Sequence, residues 1–211
     1  MMTLQDVQNI FCVGRNYAEH AKELGNEVPD TPILFTKPTN ALATADGQTL
    51  NYPSDQGDIH HELEIVLKIG KSSDSQSVND RVVEMALGID LTLRDLQSTL
   101  KKKGHPWERA KGFRNSAILT PFWSFSSVED IEHTTFTLKK NGETVQYGNS
   151  TQMLFNFQQL VDECEQAFGL GEGDVIFTGT PEGVGPISDG DVFTLFWGEE
   201  EKGSFTVAFN K

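Results

Sequence analysis

The chain has 211 residues, 37% of them hydrophobic and 23% charged, with a formal net charge of −14. That length suits one well-cored domain and falls short of a comfortable two, and the composition is that of an ordinary globular protein. The acidic balance excludes a nucleic-acid binder, which needs a concentrated basic surface, and no apolar run approaches the roughly 18 residues that a membrane helix needs.

In chain order, the opening MMTLQDVQNIFCVG lacks a basic segment followed by a long apolar core. It therefore does not read as a secretory signal, and a cytoplasmic location is the expectation. Short runs rich in β-branched and aromatic residues read as strands: QNIFCVG, PILFTKP, LEIVLKIG, EMALGID, TTFTLKKNGETVQ, DVIFTGT, DVFTLFWG and SFTVAFN. Lys140-Asn141-Gly142-Glu143 joins two alternating runs through an Asn-Gly pair, the signature of a type I′ hairpin. Three stretches read as helices: Asn16 to Leu24 with Gly25 as its stop, Asp95 to Lys103 with lysines at its C-terminus, and Met153 to Phe168. Asp95 reads as a helix-start residue. Lys71 to Asp80 reads as a surface loop, and Lys101-Lys102-Lys103 as a solvated helix face. Cys12 and Cys164 lie far apart without a C-x-x-C unit, so each reads as a small core residue. The sum is a mostly β (α+β) domain with a few short helices.

The sharpest chemical feature is His61-Glu62-Leu63-Glu64-Ile65-Val66-Leu67. Alternate side chains of a strand share a face, so Glu62 and Glu64 point one way with Cβ atoms roughly 7 Å apart. They are either two solvated acids on a half-exposed strand or two oxygen ligands of one hard cation. Asp90, in or just after an apolar strand, needs a partner because a lone buried charge is costly. That partner is either a cation at a shared site or Arg94. His61 points away from the shared acidic face, so His60 and His61 read as structural. His20 and Glu23 are neighbours at i and i+3 of a helix, either a surface pair or a carboxylate-oriented general base. Thr178 to Pro186 lacks the ending of a phosphate loop.

Taken together, the segments Gly14-Arg15-Asn16-Tyr17-Ala18-Glu19-His20, Pro32 to Pro38, His61-Glu62-Leu63-Glu64, Asp90 to Gln97, Lys111-Gly112-Phe113, Asn141-Gly142-Glu143 and Gly173 to Pro186 resemble, in order and spacing, the fumarylacetoacetate hydrolase family, in particular its small single-domain members. The resemblance implies a mixed β-sandwich roll spanning residues 1–211, usually a homodimer, with a lid over about residues 16–30. It implies a Mg²⁺ or Mn²⁺ site on Glu62, Glu64 and Asp90, proton transfer or water activation by His20 and Glu23, and electrostatic stabilisation by Lys111. Arg15, Lys37, Gln97 and Thr180 become contacts to a substrate carboxylate, with a structural ion pair the alternative for Arg15 and Lys37. Where relatives usually continue with Phe-Asp after the lysine, this chain has Phe113-Arg114-Asn115, and Arg114 is an added cation for a second substrate carboxylate.

The expected function is metal-dependent tautomerisation or decarboxylation of oxaloacetate or a related enolisable 2-oxo acid. The alternatives are C–C bond hydrolysis of an acylpyruvate or fumarylpyruvate, and a metabolite-binding protein that keeps the fold without turnover.

Overall fold

The computed structural model describes residues 6–71 and 75–210. Two sheets curl around one apolar core. The larger has eight strands. Its main path runs Ile33–Lys37, Ile10–Gly14, Val175–Phe177, Leu63–Ile69, Val82–Asp90, Ala117–Leu119 and Leu42–Thr44, and Trp123–Ser124 pairs with Val82–Asp90. The second sheet has five strands, in the order Glu143–Asn149, Thr135–Lys140, Val192–Trp197, Glu200–Asn210 and Asp46–Pro53. Three short strands, Gly185–Pro186, Ile59–His61 and Thr92–Leu93, form a third sheet beside the site.

Alternation explains the assembly. On Leu63–Ile69, residues Leu63, Ile65, Leu67 and Ile69 enter the main core, where they meet Phe136, Leu138, Phe193, Leu195 and Phe205 of the second sheet. Each such side chain taken out of water contributes about 1.5–3 kcal/mol. The opposite face carries Glu64, Val66 and Lys68, all buried, so the strand is covered on both sides rather than half-exposed.

The eight strand runs read from the sequence all form strands, and the Asn-Gly hairpin closes with φ of 53° at Asn141 and 86° at Gly142. Helix starts moved. The first helix is Ala18–Glu23, not Asn16 onward, because the Asn16 side chain is engaged elsewhere: its Nδ2 donates to Phe155 O (3.0 Å) and Thr178 O (2.8 Å), and its Oδ1 accepts from Phe155 N–H (2.8 Å). Gly25 follows with φ 64°, as a helix stop should. The third expected helix begins at Phe157, after Asn156 and Gln159 form a reciprocal cap, and the residues before it hold a 3₁₀ turn at Ser150–Gln152. The second runs Arg94–Lys102, and Asp95 does not cap it. Its carboxylate instead accepts Asp58 N–H at 3.2 Å, tying down the loop before the site. Residues 72–74 of the expected surface loop lie outside the described residues, and its end forms a helical turn, Val78–Arg81.

Candidate metal centre and active site

Antiparallel pairing assembles the acids. Glu62 occupies the single-residue break between Ile59–His61 and Leu63–Ile69. The neighbouring strand sets Ile89 opposite Leu63 and Gly88 opposite Glu64, and Asp90 N–H donates to Glu62 O at 2.9 Å. Asp90 thereby stands across from Glu62, and Glu64 shares their face. Their carboxylate oxygens lie within 4.8 Å of one another, and the three residues are only 5%, 2% and 1% exposed for Glu62, Glu64 and Asp90.

Three carboxylates this close and this dry need cations. Lys111 Nζ sits 2.8 Å from Glu62 Oε2 and 2.6 Å from Asp90 Oδ2. Arg94 pairs with Glu62 Oε1, which also accepts the Thr92 hydroxyl at 3.0 Å. The sequence alternative of an Asp90–Arg94 pair is therefore replaced by Glu62–Arg94. Burial by itself raises the Glu62 carboxyl, but Lys111 and Arg94 outweigh it and hold the group well below the usual carboxylate range. Burial likewise disfavours a charged Lys111, yet Asp90 and Glu62 hold its ammonium protonated. Glu64 is the exception. Burial, then the charges of Asp90 and Glu62, push its carboxyl well up, although its Oε2 accepts Gly179 N–H at 2.7 Å.

These observations fit a divalent cation. The donors are hard oxygens with no thiolate among them, the chemistry of magnesium and manganese rather than zinc. Asp90 Oδ1 is buried and, among the described residues, has no donor aligned on it, though Lys37 Nζ lies 2.7 Å away. Glu64 is left short of positive charge in a site whose other two acids are ion-paired. A dication supplies what both lack.

The triad floors a cavity of about 150 Å³. His20 of the first helix and Leu24 just after it form one wall, and Gln97, Ser98 and Lys101 of Arg94–Lys102 form another. Arg15, Phe35, Trp107 and Thr180 complete it. Of the residues singled out from sequence, Arg15, His20, Glu62, Glu64, Asp90, Gln97, Lys111 and Thr180 are brought to this cavity. Arg15 enters it from a left-handed backbone, φ 58°, a conformation that costs a non-glycine residue of order 1 kcal/mol and is typical of functional sites. Glu23 stands behind His20, with Oε2 at 3.5 Å from His20 Nδ1, and its carboxylate accepts Gly183 N–H. It ties the helix to the turn that carries Thr180. Burial lowers the His20 imidazole, against the pull of Glu62 and Glu23, so it is a neutral base at neutral pH.

Two expected contacts lie elsewhere. Lys37 is not on the cavity wall. It lies beneath Asp90 and donates to Leu91 O (3.2 Å), Ser116 O (3.0 Å), Ser116 Oγ (3.1 Å) and Lys111 O, which leaves no donor for a substrate. Arg114 is exposed and outside the cavity. The helical turn Glu108–Lys111 ends at Gly112, and a β-turn closed by Ser116 N–H to Phe113 O places Arg114 at its outer corner.

Sequence reasoning missed Arg94, Lys101 and Asn26 as cavity residues. Lys101 Nζ donates to Asn26 Oδ1 at 2.9 Å, and burial, then Arg15 and Arg94, lower its ammonium. The available signal was helical spacing, since Arg94, Gln97 and Lys101 lie at i, i+3 and i+7 on one face.

Three comparisons bear on this geometry. The family model described as fumarylacetoacetate (FAA) hydrolase C-terminal matches residues 9–205. The chain is 42% identical over 193 residues to the oxaloacetate tautomerase YcgM of Escherichia coli (strain K12), covering 90% of this chain and 88% of that protein. It is 38% identical over 188 residues to a mitochondrial oxaloacetate decarboxylase of Dictyostelium discoideum, covering 88% and 86%. Among solved structures, fumarylpyruvate hydrolase from Pseudomonas aeruginosa in complex with Mn²⁺ and pyruvate superposes with a TM-score of 0.89 at 34% identity, covering 97% of this chain and 91% of that one.

Proposed function

The chain belongs to the fumarylacetoacetate hydrolase family and is an enzyme of that family; on that premise we propose that it interconverts the enol and keto forms of oxaloacetate with the help of Mg²⁺. One observation carries the choice of substrate. A small, polar cavity holds an oxygen-ligand triad at its floor and Arg15, Arg94 and Lys101 on its walls. That arrangement has room and charge for an acid with a carboxylate at each end, in spite of the net charge of −14. The names of the E. coli and D. discoideum relatives support the same substrate. Mg²⁺ is favoured over Mn²⁺ on availability alone, and the Mn²⁺ of the P. aeruginosa neighbour supports a divalent cation.

A divalent cation on Glu62, Glu64 and Asp90 supplies Lewis-acid stabilisation of negative charge on the oxygens of a 2-oxo acid. The chain's own residues do the rest. Lys111, fixed between Glu62 and Asp90, adds positive charge beside the reacting carbonyl. His20, neutral and with Nδ1 turned to Glu23, takes up and returns the proton at Nε2. Tautomerisation needs only this one proton carrier. Gln97, held by the 2.8 Å bond from Arg94 Nη1 to its Oε1, keeps its amide donors for the substrate. Phe35, Trp107 and Leu24 narrow the cavity and limit water.

The test is a panel assay. Purified protein in MgCl₂ receives enol-oxaloacetate, keto-oxaloacetate and acetylpyruvate, with and without a chelator. The expected result is metal-dependent loss of the enol form faster than any pyruvate release, abolished by Glu64→Ala. The reading is sunk if both forms of oxaloacetate are left unchanged while acetylpyruvate is cleaved rapidly, which would instead assign water activation to His20 and Glu23.

A further inference from the structure

Gln146 lies on the second sheet, in the strand Glu143–Asn149, and takes no direct part in the cavity. It is nonetheless buried, 2% exposed, and its side-chain amide makes four hydrogen bonds. Oε1 accepts Leu63 N–H at 2.9 Å and faces His61 Nδ1 at 3.0 Å. Nε2 donates to Thr180 Oγ at 2.9 Å and to Pro181 O at 3.0 Å.

The orientation of this amide is determined twice over. A backbone N–H can only donate, so the atom facing Leu63 N is the oxygen. A backbone carbonyl can only accept, so the atom facing Pro181 O is the nitrogen. Both Nε2 protons are then used, and Thr180 Oγ receives one of them. A hydroxyl that accepts from a fixed donor turns its own proton elsewhere. Among the described residues its alternative acceptor is Pro181 O, at 3.4 Å, beyond the roughly 2.5–3.0 Å of an ordinary O–H···O bond. The remaining direction is the cavity, where Thr180 forms part of the wall. The turn runs close against the strand of Gln146: Gly183 has φ 94°, and a Cβ there would meet Val145 O at 2.2 Å.

We propose that Gln146 is a positioning residue that makes the Thr180 hydroxyl an obligate hydrogen-bond donor to the carboxylate of the bound 2-oxo acid. The inference deepens the oxo-acid reading above and rests on it for the ligand class. His61 completes the chain. Gln146 Oε1, which can only accept, faces its Nδ1 at 3.0 Å, so the ring holds a proton on Nδ1 toward Gln146. The backbone of Leu63 and the ring of His61 thus set the amide, the amide sets the hydroxyl, and the hydroxyl meets the ligand.

Gln146→Glu preserves shape but replaces the donor with an acceptor, so Thr180 turns its proton away from the cavity. The probe is pyruvate in MgCl₂, with its Kd measured by calorimetry for wild type, Gln146→Glu, Thr180→Val and the double variant. Charge-assisted hydrogen bonds of this kind lead us to expect about tenfold weaker binding for each single variant. The double variant should be no weaker than Thr180→Val alone, and Thr180→Ser should restore binding. A purely structural Gln146 would add its full effect in the Thr180→Val background. That additivity, or wild-type binding by Gln146→Glu, overturns the proposal. If Gln146→Glu melts well below wild type, Gln146→Asn, one methylene too short to span Leu63 to Thr180, runs the same cycle. Because the cycle reads binding, its failure is separable from failure of the turnover assay.

Discussion

At the scale of single residues, charge placement decides what the cavity accepts. Lys111 and Arg94 offset the charges of Glu62 and Asp90 at the floor, so the cations left for a ligand stand higher up, on Arg15 and Lys101. Lys101, exposed near the end of its helix, donates from Nζ to Asn26 Oδ1, its one hydrogen-bond partner among the described residues. Lys101→Met therefore removes a distal contact without touching the acids. The expected outcome is a KM for oxaloacetate raised about tenfold, the size of one hydrogen bond to a charged group, with kcat little changed and pyruvate binding unaffected. Steady-state kinetics on the two-carboxylate substrate beside calorimetry on the one-carboxylate ligand checks it. Equal losses for both ligands would remove Lys101 from the distal position.

At the scale of elements, the site is a meeting of two strand ends and one turn. Gly179, just after the strand Val175–Phe177, has φ 100°, and a Cβ there would meet Asn16 Cβ at 2.6 Å. The same residue's N–H orients Glu64, and Asn16 locks the approach to the first helix. Gly179→Ala thus strains one junction that serves both the metal triad and the His20 helix. Backbone strain of this type costs on the order of 1–3 kcal/mol, and the contact with Asn16 adds to it. Chemical denaturation should show a loss of at least about 2 kcal/mol, together with loss of turnover. Wild-type stability in this variant would mean that the turn relaxes, and that Glu64 does not depend on it.

At the scale of the whole molecule, the two sheets share a core of Leu63, Ile65, Leu67, Phe136, Phe193 and Leu195, yet Glu64 and Lys68 are buried on the other face of the same strand. A protein that buries three acids at one point gives up stability there, which a bound dication returns. Ligand binding to the native state alone contributes about 2.7 kcal/mol at one hundred times Kd, or several degrees in Tm for a chain of this size. Thermal melting should accordingly rise with MgCl₂ and fall with chelator in wild type, and Glu64→Gln should lose most of the difference. A melting temperature indifferent to Mg²⁺ and Mn²⁺ would argue against a divalent-cation site on these three residues.

Local pattern determined much of this by itself. Period-two alternation placed the strands, Asn141-Gly142 placed a hairpin, and the i, i+2 spacing of Glu62 and Glu64 put both on one face, because each depends only on neighbours along the chain. The order of the motifs along the chain, more than any single one, pointed to the family. What tertiary structure alone decided is which distant groups meet. Asp90 joined the other acids through strand register, and Lys37, a candidate substrate contact in sequence, ended beneath Asp90 with all its donors spent. Arg114 suited a second carboxylate by charge, but a turn carried it outside, while Arg94, read as a possible partner of Asp90, and Lys101, read as part of a solvated helix face, both line the cavity. The physical reason is common to all five. A side chain's charge is written in the sequence, but its direction depends on turns and pairings with residues far away, and buried charges are settled only when their partners arrive.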